Sequence, residues 1–232
     1  MPNEQVGTIK VKDEVNEHFL YKASRTDKRK TPIQHLDEIV LTGPRETSIS
    51  AKGPLTLIVD LFYGAYKDTF HIRDCPSNDW IEKCAPLERE ITSQDGRGDV
   101  YIFYAIFDNA TEARLEVKLL ADNNITNEVC GVVASSSSKI KSLEYSSMLF
   151  VKKPSDKVKV GRSKLLPLST NIVAVPLDSE LFLDIHLKTS VEHVIFEDTF
   201  KFRAERAGTR KELKNGKNCK IQVKVIWGRR QS

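Results

Sequence analysis

Histidines are the first residues in this sequence whose type could support chemistry. Five are present, and none forms a His-x-His or His-x-x-x-His pair: His18, His35, His71, His186 and His193. If Thr189-Ser190 is a two-residue hairpin turn, His186 and His193 face each other across two strands at about 5 Å between Cβ atoms. A third ligand is not evident, although Asp184 and Glu192 are near, and catalytic zinc takes three protein ligands. The sequence therefore favours an exposed histidine pair and predicts no metal site and no cofactor.

Nucleophilic residues lack the motifs of the known enzyme classes. The chain has no Gly-x-Ser-x-Gly, no Gly-x-Gly-x-x-Gly and no phosphate-binding loop that ends in Lys-Ser or Lys-Thr. Cys75 and Cys84 flank Trp80, and only Arg73 and Lys83 could activate a thiolate there. Inert thiols are favoured, and no catalytic residue is predicted.

Asp198 interrupts an apolar strand face. Val194, Phe196, Phe200 and Phe202 alternate along one side of the segment, and Asp198 occupies the same side between them. Burial among aromatic rings would raise the pKa of its carboxyl group. Three interpretations stay open: a functional acid, a β-bulge that turns the side chain outward, or pairing with an arginine; a bulge or a pair is favoured.

The basic C-terminal stretch is the strongest candidate for a binding site. Residues 1–150 hold 18 Lys/Arg and 23 Asp/Glu, whereas residues 151–232 hold 18 and 9. The candidate nucleic-acid-binding residues are Arg206, Arg210, Lys211, Lys214, Lys217, Lys220 and Lys224. The first five are expected in one loop and the last two on the outer face of the final strand. Few aromatic residues are present there to stack bases, so a solvated surface is favoured over RNA binding.

Alternation of apolar and polar residues predicts the elements that carry these side chains. The clearest strand spans 219–227, with Cys219, Ile221, Val223, Val225 and Trp227 on one face. The other predicted strands are 8–11, 18–23, 38–42, 55–63, 99–107, 113–120, 130–134, 148–152, 172–175, 181–188 and 194–203.

The pattern predicts a mainly β fold, arranged as a single antiparallel β-sandwich or a partly open barrel, with at most one or two short helices. The helix candidate is 79–85, which Pro86 ends. Ser135–Ser138 is expected to form a loop. No repeat or linker is evident, so residues 1–232 are expected to form one all-β domain.

The sequence predicts no secretory signal and no membrane-spanning segment. The first residues are polar, and no apolar run approaches the length of a membrane helix. We expect a cytoplasmic protein, with a nuclear location left open, no membrane association, and reduced thiols at Cys130 and Cys219.

An ordered set of segments resembles a known family. The segments are Gly7–Val15, Leu41–Arg45, Leu166–Ser169, Ala207-Gly208 and Cys219–Trp227. Together they are similar to a domain-of-unknown-function family that is expanded in grasses. A similar domain forms the C-terminal part of jasmonate-induced ribosome-inactivating-type proteins. The resemblance implies a plant β domain with a role in stress or defence, and it implies that one edge strand before Gly7 is missing.

The resemblance also invites a test for N-glycosidase chemistry. That reaction needs a glutamate and an arginine one helical turn apart, with aromatic rings to hold adenine. Glu112 and Arg114 are the nearest candidates, but they lie two residues apart in a predicted strand. A solvated strand face is favoured for both residues, and the toxin activity is not expected.

The leading hypothesis is therefore a non-enzymatic binding module with an unknown protein partner and an undetermined oligomeric state. The first alternative is an RNA- or ribosome-associated protein that uses the basic C-terminal third. The second is a metal-dependent enzyme with its site at His186 and His193.

Overall fold

The computed structural model describes most of the second half of the chain and separate strands of the first half. The described residues are 6–12, 16–23, 49, 55–63, 66–74, 86–92, 99–107, 109–121, 128–140, 145–161, 164–189, 193–217 and 219–228. The described strands fall into two compact units, with the first six strands in one and the last nine in the other.

The first unit contains a four-stranded antiparallel sheet and a separate hairpin. Its strands are β1 (Val6–Lys12), β2 (Glu17–Ala23), β3 (Leu55–Tyr63), β4 (Tyr66–Asp74), β5 (Pro86–Thr92) and β6 (Asp99–Ala105). The sheet has the order β2-β1-β3-β4, and β5 pairs with β6 alone. Ile9, Leu20 and Val59 are the buried apolar side chains among those described in this unit.

The second unit is built from nine strands in two antiparallel sheets. The strands are β7 (Ala110–Ala121), β8 (Glu128–Ser137), β9 (Ser147–Lys152), β10 (Val158–Lys159), β11 (Ile172–Pro176), β12 (Glu180–Lys188), β13 (Val194–Arg203), β14 (Gly208–Asn215) and β15 (Cys219–Trp227). One sheet has the order β10-β8-β12-β13, with β9 also paired to β8. The other has the order β11-β7-β15-β14.

The two sheets of the second unit pack face to face around one apolar core. Leu115 and Val223 reach this core from one sheet, and Leu183 and Phe200 reach it from the other. Each such side chain contributes about 1.5–3 kcal/mol when it is fully buried. Along each strand, apolar side chains that face the core alternate with polar side chains that face outward, as is typical of antiparallel sheets with one buried face. The predicted mainly antiparallel β fold is confirmed; the second unit is a β-sandwich, and neither of its sheets closes into a barrel.

Most predicted strands are found close to their expected bounds. β3, β13 and β15 begin and end at the predicted residues. The described residues contain no α-helix. The helix predicted at 79–85 and the strand predicted at 38–42 lie outside the described residues. The single domain spanning 1–232 stays a prediction.

Two loop predictions are wrong. The predicted serine loop is instead the end of β8, where Ser135 and Ser137 are buried. Serine is small enough to face a sandwich interior, and Ser135 Oγ donates a hydrogen bond to the Ser147 carbonyl oxygen. The predicted basic loop contains strand β14, whose backbone pairs with β15 along its whole length.

Membrane crossing by a helix finds no support in the described part of the chain. The described residues contain no helix that is long and apolar enough to span a bilayer.

Candidate functional site

The outer face of the β11-β7-β15-β14 sheet carries a cluster of lysines. Antiparallel pairing places the side chains of β7, β15 and β14 in cross-strand rows. The first row is Glu116, Lys224 and Lys211; the second is Lys118, Gln222 and Leu213; the third is Leu120, Lys220 and Asn215. Lys118, Lys211, Lys220 and Lys224 therefore share one surface, which we call the lysine face.

The register of β15 explains why these residues point outward. Cys219, Ile221, Val223, Val225 and Trp227 are buried in the core, so the residues between them must face the other way. The same alternation in β7 buries Leu115, Val117 and Leu119 and turns the residues between them outward.

One carboxylate partly neutralises the lysine face. Lys224 Nζ lies 2.9 Å from Glu116 Oε1, and both side chains are about one-third exposed. An ion pair this open contributes less than about 1 kcal/mol. Lys118, Lys211 and Lys220 form no ion pair with any carboxylate that the structure describes. The face therefore has a net positive charge close to three.

Leu213 supplies an apolar side chain within this charged surface. It lies opposite Gln222, two positions along β14 from Lys211, and it is 49% exposed. A small cavity of about 90 Å³ lies over the first two rows, between Glu116 and Lys211. The face thus combines ammonium groups with the apolar side chains of Leu213 and Leu120 and a shallow depression.

The seven predicted basic residues divide between different surfaces. Lys211, Lys220 and Lys224 lie on the lysine face. Arg210 and Lys214 lie on the opposite side of β14, because they pair with the core residues Val225 and Ile221. The remaining two, Arg206 and Lys217, lie outside the strands at either end of β14.

Arg210 and Lys214 are occupied by ion pairs. Arg210 Nη2 lies 2.6 Å from Glu205 Oε1, and Lys214 Nζ lies 2.9 Å from Asp198 Oδ2. Both therefore contribute less free charge than their residue type suggests.

Asp198 is a paired surface carboxylate. Its side chain is 48% exposed at the edge strand β13, although its partner in β12, Ile185, is buried. The pairing interpretation is thus supported, with Lys214 in place of an arginine. The irregularity in register lies further back, next to Ile195, and does not reorient Asp198. The hydrogen bond from Lys214, followed by that from the Thr199 backbone N–H, lowers the pKa of the carboxyl group.

An open groove of about 700 Å³ lies beside this ion pair. Its lining includes Asp184, Asp198 and Glu212 together with Lys201 and Lys214. The carboxylates and ammonium groups compensate one another, and Thr199 Oγ1 donates a short hydrogen bond to Asp184. The groove therefore offers no dominant charge to a ligand.

The predicted cross-strand histidine pair is wrong. His186 lies opposite Glu197, with 3.3 Å between His186 Nδ1 and Glu197 Oε1. His193 lies further along, where its carbonyl oxygen accepts a hydrogen bond from Thr189 N–H. The hairpin connection is longer than two residues, and a shift in register follows it. Within the described residues, no three His, Cys, Asp or Glu side chains are grouped so that they could hold a metal.

The predicted exposure of Glu112 is also wrong, whereas Arg114 is partly exposed. Glu112 is 4% exposed, and its Oε1 atom lies 2.8 Å from Arg114 Nη2. The two residues face the same way on β7 and neutralise each other. A glutamate held in this way is not available to bind adenine.

Both cysteines that the sequence places in strands are buried and lie outside any disulfide. Cys130 Sγ lies 3.5 Å from the Lys188 carbonyl oxygen, and Cys219 Sγ lies 3.4 Å from that of Ile195. The prediction that these two residues lie in strands is confirmed. Cys75 and Cys84 lie outside the described residues.

Lys118 and Leu213 are the surface residues that the sequence prediction missed. The alternation in β7 already turned Lys118 outward, but only the β7–β15–β14 register brings it next to Gln222 and Lys224. Leu213 was missed because β14 was not predicted as a strand.

Fold and surface together define a β-sandwich protein with a basic sheet face. The chain belongs to the family described as Domain of unknown function (DUF6598), whose model matches residues 2–225. No curated protein and no solved structure matches it significantly.

Proposed function

We propose that this chain is a non-enzymatic binding module whose lysine face holds an acidic surface of a partner protein. The register that gathers Lys118, Lys211, Lys220 and Lys224 on one face carries the proposal. Four ammonium groups on one flat sheet attract carboxylates, and they raise the rate at which an acidic partner is captured.

The surroundings of the lysines favour a protein partner over RNA. In its described rows the face has no aromatic ring on which a base could stack, and stacking supplies much of the affinity for single strands. Arg114, in the adjoining row of β7, is paired with Glu112 and therefore has less capacity to bind a phosphate with two hydrogen bonds. Leu213 matches an apolar side chain of a protein better than a phosphate backbone.

Binding of two labelled polyanions tests the proposal. Poly-L-glutamate and single-stranded polyuridine of equal charge are titrated with dilute protein, and fluorescence anisotropy is recorded at low and high salt. We expect the protein to bind poly-L-glutamate at low salt. Lys211→Glu/Lys220→Glu should weaken binding at least about tenfold, because it reverses two unpaired charges.

A matched control separates the lysine face from net charge. Lys153 and Lys157 are exposed lysines in the connection between β9 and β10. Lys153→Glu/Lys157→Glu makes the same charge change away from the face and should alter binding less than about twofold. Tighter binding of polyuridine through the same lysines would replace the protein partner with RNA. Failure to bind either polymer would overturn the proposal.

We also propose a role in plant stress or defence, supported by the resemblance to the C-terminal domain of jasmonate-induced proteins. We expect the protein to accumulate in grass leaves after jasmonate treatment, as measured by immunoblotting against untreated leaves. Constant abundance after jasmonate, wounding and infection would contradict this role.

A further inference from the structure

A surface of opposite charge lies on the β5–β6 hairpin of the first unit. The register places Glu88 opposite Phe103 and Glu90 opposite Tyr101, so these four side chains share one face. Both glutamates are exposed, and the rings of Tyr101 and Phe103 are 53% and 39% exposed. We call this surface the acidic hairpin.

A tyrosine positions one carboxylate of the acidic hairpin. Tyr101 Oη donates a 2.6 Å hydrogen bond to Glu90 Oε1, which fixes the position of the glutamate side chain. No lysine or arginine in the described part of the chain forms an ion pair with Glu88 or Glu90. The hairpin therefore presents two negative charges beside two aromatic rings.

The acidic hairpin and the lysine face are complementary in chemistry and spacing. Glu88 and Glu90 are two positions apart on one strand, about 7 Å, which is also the distance between adjacent rows of the lysine face. Carboxylates can pair with the ammonium groups.

We propose that the occupant of the lysine face is the acidic hairpin of a second copy of this chain. This inference rests on the proposed function, because it names the acidic protein that the lysine face would hold. The charge distribution of the sequence supports it: residues 1–150 are net acidic and residues 151–232 net basic, so every copy offers both surfaces.

The contact joins different surfaces of the two copies. It is therefore head-to-tail, and it can close into a ring or continue along an open chain of subunits. Two strands of seven residues cover about 10 by 23 Å. The area of such a face is well below the roughly 800 Å² that each partner buries in a stable complex. The association is weak, dependent on concentration, and sensitive to salt.

Sedimentation velocity of the full chain over a wide concentration range tests this association. We expect dimers and larger species at low salt and monomers at high salt. Two variants should each remain monomeric: Lys211→Glu/Lys220→Glu, which reverses the lysine face, and Glu88→Lys/Glu90→Lys, which reverses the acidic hairpin. Lys153→Glu/Lys157→Glu serves as the control and should associate like the unaltered protein.

Mixing the two monomeric variants gives the decisive result. The first variant keeps an intact acidic hairpin and the second an intact lysine face, and their two reversed surfaces are also opposite in charge, so an equimolar mixture should regain the association that each variant alone has lost. Far-ultraviolet circular dichroism checks that each variant is folded. If charge reversal unfolds the hairpin variant, Glu88→Gln/Glu90→Gln takes its place. This neutral variant should associate more weakly than the unaltered protein, and it can be mixed with the lysine-face variant in the same way.

Each outcome decides the inference. A protein that is monomeric at every concentration overturns it, as do variants that associate normally or a mixture that stays monomeric. A monomeric protein that still binds poly-L-glutamate through Lys211 and Lys220 would overturn the self-association alone. Loss of both activities would overturn the proposed function as well.

Discussion

Lys214 Nζ lies 2.9 Å from Asp198 Oδ2, and these two residues belong to edge strands of the two facing sheets, β14 and β13. The same ammonium group donates a 2.6 Å hydrogen bond to the Thr199 carbonyl oxygen and lies 5.1 Å from the centroid of the Phe200 ring. One lysine thus links the open edges of the sandwich and covers part of its core.

Asp198 should make stability depend on pH in the acid range. Its pKa is lowered in the folded protein, so its stabilisation is present above the unfolded-state value of about 3.9 and is lost as pH falls through the folded value. Asp198→Asn should lower the free energy of unfolding near pH 7 by about 0.5 kcal/mol, a small value because solvent screens the exposed pair. The deficit should fade on acidification, as measured by urea unfolding across pH. An equal deficit at all pH values would contradict this assignment.

Gly131 should tolerate no side chain. Its φ angle is +127°, and a Cβ atom there would lie 2.1 Å from the His186 carbonyl oxygen. Gly131→Ala should lower the free energy of unfolding by about 2–4 kcal/mol, because β8 and β12 would have to separate. Gly161→Ala is the matched control, since a Cβ atom at that position meets no neighbour within 4 Å. Equal denaturation midpoints for the two variants would show that β8 does not approach β12 this closely.

Cys130 and Cys219 should react with thiol reagents only after unfolding. Both are buried, at 1% and 5% exposure. In a Cys75→Ser/Cys84→Ser background, Ellman's reagent should detect two thiols in denaturant and almost none in native buffer. Rapid labelling of the native protein would place at least one of these thiols at the surface.

His186 and His193 should not bind zinc together. The β12–β13 register places Glu197, and not His193, opposite His186. Calorimetric titration with zinc should give the same heats for the unaltered protein and for His186→Ala/His193→Ala, because two separated imidazoles do not complete a metal site. A site lost only in the double variant would restore the metal hypothesis.

Strands with one apolar face could be predicted from the sequence almost to the residue. β15 and β12 each alternate between core and solvent along their length, which is the pattern of a half-buried strand. Strand β14 escaped prediction because charged residues occupy both of its faces: Arg210, Glu212 and Lys214 on one, and Lys211 on the other. An edge strand that buries little has no such alternation to detect.

The candidate site depended on register, which local sequence does not determine. The prediction that Lys220 and Lys224 point outward was correct, because the alternation within β15 is enough to determine it. The position of Lys118 beside them required the pairing of strands about one hundred residues apart. The histidine pairing failed for a similar reason, since it assumed a two-residue turn where the connection is longer.

Strand β14 also limits how this protein can meet another chain. Arg210, Glu212 and Lys214 lie on the interior-facing side of an edge strand. A foreign strand that extended the sheet there would have to cover three charged groups and give up their hydration. The strand therefore disfavours fibril-like growth along that edge, and partners are expected to bind the outer face of the sheet instead.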